Sequence, residues 1–172
     1  MNLLHTDRLH LRPCQLEDLD ILHELWCDAD IRRFLFDDRQ ISREEAQSFI
    51  EASIASFRNH SYGIWLFFDN HSDQIAGFAG LLQFTETAPS LIFGVRPQFW
   101  GRGYATEATL GVLDHAFADL GIKYIVADVD EPNDRSIRVL EKIGMSRTKR
   151  AIVNERPLLY YEIYAADRGN RE

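Results

Sequence analysis

A chain of 172 residues can bury one substantial core and is short enough to fold as a single domain, taken as residues 1–172. With 45% hydrophobic and 27% charged residues, the composition excludes disordered and fibrous classes. A formal net charge of −8 opposes direct binding to nucleic-acid backbones, and no apolar run approaches the ~20 residues of a membrane-spanning helix.

The N-terminal MNLLHTDRLHLRP has no sustained apolar stretch resembling a signal peptide, so a cytoplasmic location is expected. Cys14 and Cys27 lack metal-type spacing and are expected as free thiols. Arg8 to Arg12 alternates polar and apolar residues, predicting a half-buried strand closed by Pro13. Leu16, Leu19, Leu22, Leu25 and Trp26 then recur at helical spacing among acidic residues. A second helix is announced by Ser42 and Glu45, an S-x-x-E capping box, and carries the stripe Ala46, Phe49, Ile50, Ile54, Phe57.

The period changes in the middle of the chain. Gly63 to Phe68 and Gln74 to Phe84 read as an antiparallel hairpin around the turn DNHSD, and the aromatic residues Tyr62, Trp65, Phe67, Phe68 and Phe78 are expected in the core. Ser90 to Val95 adds a third strand, with Gly94 as a candidate bulge. Beyond Val95 the order becomes loop, helix, strand, helix. The first of these helices carries Thr109, Val112, Leu113, Ala116, Phe117 and Leu120 and ends at Gly121. Tyr124 to Val129 is the next strand, and Asn133 caps a shorter helix closed by Gly144. Met145 to Val153 and Leu158 to Tyr164 are the last strands.

The chemistry is concentrated in Gln98-Phe99-Trp100-Gly101-Arg102-Gly103-Tyr104-Ala105-Thr106, between an apolar strand and an amphipathic helix. A helix start leaves its first N–H groups without internal partners and carries partial positive charge, while Gly101 and Gly103 allow an anion close to the backbone. A pyrophosphate fits such a loop. The pattern Q-x-x-G-x-G-Y-A, preceded by Pro97 and followed by Thr-Glu-Ala, resembles the acetyl-CoA-binding motif of the GNAT superfamily. The resemblance extends from TDRLHLRPCQLEDLDILHELW to NDRSIRVLEKIGM and is nearest to the ribosomal-protein N-terminal acetyltransferase branch.

That resemblance implies an α/β (α+β) GNAT fold, with a mixed, mostly antiparallel sheet of six to seven strands, splayed after the strand ending at Val95 and flanked by about four helices. It implies an N-acetyltransferase that moves the acetyl group of acetyl-CoA directly to a primary amine on a protein N-terminus or a small molecule. Pantetheine would run along Phe93, Gly94 and Val95, with Gln98 and Gly101 to Thr106, including Arg102, Tyr104 and Ala105, around the pyrophosphate. Asn133 and Ser136 would hold the pantetheine arm near the sulfur. Read from the residues alone, Asn133 and Ser136 need only cap their helix.

Transfer needs a neutral amine, whereas a lysine ammonium has a pKa of about 10.4 and an α-amine about 8, so a base is required. The Val95 amide is the candidate polariser of the carbonyl, and Ser136, Tyr160 or Tyr161 the candidate acid. Family members often carry an acidic residue where this chain has Ser90, leaving Glu86, Asp128 and Glu162 as alternatives for the base. No metal is expected, because the histidines are scattered over different elements. The expected assembly is a monomer or homodimer.

Two other classes compete. A dinucleotide oxidoreductase would use Gly101-x-Gly103 as a Rossmann fingerprint, but Thr106 occupies the third glycine position and the preceding elements read as antiparallel. A non-catalytic acetyl-CoA sensor or interaction module has Ser90 as its one sequence hint.

Overall fold

In the computed structural model of the protein, residues 2–83 and 88–168 are described. The alternating N-terminal segment forms β2 (Leu9–Pro13), preceded by a two-residue strand β1 (Leu4–His5) that pairs with it. The next helix is shorter than its leucine spacing predicts. Leu16–Asp18 is a 3-10 turn and α1 begins at Leu19, running to Cys27, with Leu16 exposed. Asp18 causes the change: its buried carboxylate is clamped by Arg12 at 2.7 and 2.8 Å and accepts the Gln15 N–H.

A four-residue helix α2 (Ala29–Arg32) follows, capped by the Asp28 side chain. The helix α3 (Arg43–His60) opens on the expected reciprocal capping box of Ser42 and Glu45. The meander consists of β3 (Ile64–Asp69), β4 (Ile75–Leu82) and β5 (Ser90–Val95). Then come α4 (Tyr104–Asp114), which continues as a π-helical turn over His115–Asp119, and β6 (Tyr124–Asp130). The chain finishes with α5 (Asp134–Lys142), β7 (Ser146–Val153), β8 (Arg156–Tyr164) and α6 (Ala165–Arg168).

Among the described residues the sheet has eight strands in the order β1-β2-β3-β4-β5-β6-β8-β7, one more than expected because of β1. All neighbouring strands are antiparallel except β5 and β6. The two helices beyond the expected four are the single-turn α2 and α6.

Gly94 is not a bulge, since the β4–β5 register runs unbroken from Gly77↔Val95 to Leu82↔Ser90. A Cβ at Gly94 would stand 2.5 Å from the Phe78 ring, so glycine makes room for that aromatic. The register irregularities lie between Phe67 and Phe68 and between Arg147 and Lys149.

Alternation divides the core into two layers. Trp65, Phe67, Ala79, Leu91 and Ala127 point to the face packed with Ala108, Val112 and Leu113 of α4 and Leu140 of α5. Ile64, Leu66 and Phe78 point to the other face, covered by Leu22 and Trp26 of α1 and Ile50 of α3. Trp65, Phe67 and Phe78 are fully buried, as the sequence predicts, whereas Phe68 is half-buried and stacks on His10. No helix is long and apolar enough to cross a membrane among the described residues.

Candidate active site

β5 and β6 are held together at one register pair, Ser90↔Val126, supported by the Val126 N–H to Pro89 C=O bond at 3.1 Å. Beyond that pair no register pair joins the two parallel strands among the described residues, and the sheet is open between Leu91–Val95 and Ala127–Asp130. The Arg96 N–H donates to Ala76 C=O at 2.8 Å, so antiparallel alternation turns the main-chain groups of Phe93 and Val95 away from β4 and toward the opening. Val95 C=O accepts from the Trp100 indole N–H at 2.8 Å. The Phe93 and Val95 N–H groups border the gap.

The chain then turns through a short 3-10 segment, Pro97–Phe99, in which Gln98 is exposed. Gly101 and Gly103 both have φ +77°, a conformation that glycine enters freely, and Gly103 is the N-cap of α4. No side chain caps this helix, so its first donors, on Tyr104, Ala105 and Thr106, are available to an anion. A Cβ on Gly101 would meet nothing within 4 Å, and one on Gly103 only an Arg8 side-chain nitrogen at 3.5 Å. The space beside the loop is open.

Two long-range contacts fix the loop, and sequence reasoning missed both. The Tyr104 hydroxyl donates to the Asp69 carboxylate at 2.5 Å, which also accepts the His71 and Ser72 N–H groups. These donors, the Tyr104 hydroxyl first, hold the Asp69 carboxyl below its ordinary range, and the Asp69 carboxylate in turn raises Tyr104. On the outer side Arg8 donates to Glu107 at 2.6 Å and to the Arg102 C=O at 2.8 Å. Burial opposes ionisation of Glu107, yet the donors Thr6 and Arg8 outweigh it and keep its carboxyl low. The hint for Asp69 was its place at the head of the DNHSD turn, which said nothing of Tyr104.

The far rim of the opening is the start of α5. The Ser136 N–H donates to Asn133 Oδ1 at 3.3 Å and Asn133 Nδ2 donates to Ser136 Oγ at 3.0 Å. The helix-capping reading of this pair therefore holds. Ser136 Oγ accepts in this bond and keeps its own proton for another partner.

Asp128 lies on β6 two residues beyond the last pair with β5, on the sheet face opposite Ala127 and Val129. Its residue surface is exposed, but surrounding atoms displace water from the carboxyl, and this desolvation pushes its pKa up. Ser90 projects to the same face, as do the register partners Tyr160 and Glu162 of β8. Glu162 is engaged by the Tyr124 hydroxyl at 2.9 Å, and the Lys149 ammonium lies 4.7 Å from the Tyr160 ring centroid. Tyr161 points into the α4 layer, where its buried hydroxyl has no hydrogen-bond partner among the described residues. Glu86 lies outside the described residues.

The face that carries Asp128 is acidic. Buried Asp130 is raised by desolvation, partly offset by Arg156, which bridges it at 3.1 Å to Asp37 at 3.5 Å. Asp37 sits among consecutive residues of positive φ, Phe36 to Asp38. Among the described residues no group of three or more His, Cys, Asp or Glu side chains converges to hold a metal.

Comparison with known proteins gives a consistent picture. A family model described as acetyltransferase (GNAT) domain matches residues 8–146. An uncharacterized N-acetyltransferase p20 of Bacillus licheniformis is 26% identical over 153 residues, covering 86% of this chain and 84% of that protein. A spermidine N(1)-acetyltransferase of Escherichia coli K12 is 27% identical over 139 residues, 79% of this chain and 72% of that one. The solved structure of RimL, a ribosomal L7/L12 alpha-N-protein acetyltransferase in complex with coenzyme A, superposes with a TM-score of 0.81 at 16% identity, covering 94% and 97% of the two chains.

Proposed function

The chain belongs to the GNAT acetyltransferase family, and on that premise we propose that it acetylates the primary amine of a cationic acceptor with Asp128 as the base. The observation that carries this reading is the opening between β5 and β6, which joins the uncapped start of α4 on one side to a desolvated carboxyl on the other. The residues present fit acetyl-CoA: open glycine backbone, free helix N–H groups and an unpaired β5 edge. Bound there, acetyl-CoA supplies the acetyl group as a thioester.

Each chain group then has a role. The N–H groups of Tyr104, Ala105 and Thr106, with Gly101, Arg102 and Gly103, hold the pyrophosphate, Gln98 flanks it, and Phe93, Gly94 and Val95 line the pantetheine path. The Val95 N–H polarises the carbonyl. Asp128 takes the amine proton from the opposite face, and Ser136, oriented by Asn133, donates to the departing sulfur, with Tyr160 as the alternative donor. Asp128 compensates for Ser90: Ser90 pairs with Val126, and the carboxylate missing from β5 is supplied two residues further along β6.

The acidic set Asp37, Asp128 and Asp130 favours a positively charged acceptor, and the relatives that act on spermidine or on a ribosomal protein's N-terminus make polyamines and protein N-termini the first acceptors to test. Release of free coenzyme A thiol should rise above background with at least one member of a panel of polyamines, dipeptides and ribosomal proteins. Tight acetyl-CoA binding with no release on any of them would instead establish the non-catalytic sensor.

A further inference from the structure

The Arg135 side chain, on the first turn of α5, sits over the Trp100 indole, its guanidinium carbon 3.6 Å from the ring centroid. Trp100 is in turn tied to the end of β5 through its bond to Val95 C=O. The contact therefore joins the loop before α4, at the end of β5, to the start of α5. The ring contact uses one face of the guanidinium and none of its N–H fork. Among the described residues that fork makes no hydrogen bond and no ion pair. In a chain of net charge −8, a cation held rigid, exposed and without a carboxylate partner is set for an anion from outside.

Arg102, within the loop itself, sits over the Phe99 ring, its guanidinium carbon 5.1 Å from the centroid. Arg102 immediately precedes Gly103, the N-cap of α4, and Arg135 contacts Trp100 three residues before that cap. We infer that Arg135 is a phosphate-binding residue for the nucleotide end of the acetyl donor, pre-aimed by Trp100, and so sets donor affinity without touching the reacting atoms. This rests on the acetyl-CoA reading above. The shared chemistry is a phosphate dianion or diester; its source is either the pyrophosphate or the 3′-phosphate of coenzyme A.

The test compares the parent protein with Arg135→Ala, using acetyl-CoA, its 3′-dephospho analogue and S-acetyl-pantetheine, which has no phosphate. Loss of one charge-assisted contact should weaken acetyl-CoA binding by the variant about tenfold in calorimetry, raise the KM to match and leave kcat within about twofold. Activity with S-acetyl-pantetheine should not change, because the lost partner is absent from that donor. A variant that loses the parent's preference for acetyl-CoA over the dephospho analogue assigns the contact to the 3′-phosphate; equal losses on both assign it to the pyrophosphate. The inference is overturned if the variant keeps the parent's calorimetric affinity for acetyl-CoA, or if S-acetyl-pantetheine suffers as much as acetyl-CoA, the mark of a merely structural role. Failure of the parent protein to bind coenzyme A in calorimetry would sink the acetyl-CoA reading itself.

Discussion

Among the described residues Asp128 differs from the other carboxylates around the opening in making no ion pair or side-chain hydrogen bond: Asp130 is bridged by Arg156 and Glu162 by Tyr124. As a base it should cost about 10²- to 10⁴-fold in kcat when replaced by Asn, with little change in the KM for acetyl-CoA, as steady-state kinetics would reveal. Because its carboxyl is raised, kcat should climb as pH rises through that raised value and the group ionises, and this acid limb should vanish in Asp128→Asn. The stability effect has the opposite sense. Between the ordinary aspartate value and the raised one, the folded state binds the proton more strongly than the unfolded chain, so this group's contribution falls as pH rises through the window. Sequence inspection found Asp128 as one of three carboxylates and had no means of ranking them, since desolvation is set by atoms from other strands.

At the level of elements, the loop before α4 is set by its own glycines and by its anchors. Gly103 has φ +77°, so a valine there would strain the turn as well as obstruct an anion, and it would test two effects at once. Tyr104→Phe isolates the anchor, removing one hydroxyl and leaving Asp69 with the His71 and Ser72 N–H groups. We expect weaker acetyl-CoA binding by calorimetry and a lower thermal midpoint above the ordinary aspartate range. The lowered Asp69 carboxyl contributes stability that is present above its unfolded value and is lost as pH falls through its folded one, so the difference between parent and variant should shrink in acid. The G-x-G spacing and the helix stripe made this loop legible. Its two anchors were not, because Asp69 is 35 and Arg8 99 residues from the partners they hold.

Taken whole, the proposed reading sets the acidic residues Asp37, Asp128 and Asp130 toward the acceptor and the cations Arg102 and Arg135 toward the acetyl donor. Salt should therefore raise the KM for a polycationic acceptor more than that for a dipeptide carrying one amine, a difference measurable between low and physiological ionic strength. The sequence by itself determined the order of the four longer helices and of the strands after β1, the capping of α3 and α5, the turn glycines and the family motif, because each depends on residues within a few positions of one another. Tertiary structure decided the remainder. The eighth strand needed β2 as a template, Gly94 was reassigned by the Phe78 ring packed over it, and the opening was located by a single β5–β6 pair. Asp128 acquired its raised carboxyl, and Arg135 its place on Trp100, only when strands and helices far apart in the chain were brought together. Long-range packing sets desolvation and ring contacts, and no local pattern encodes them.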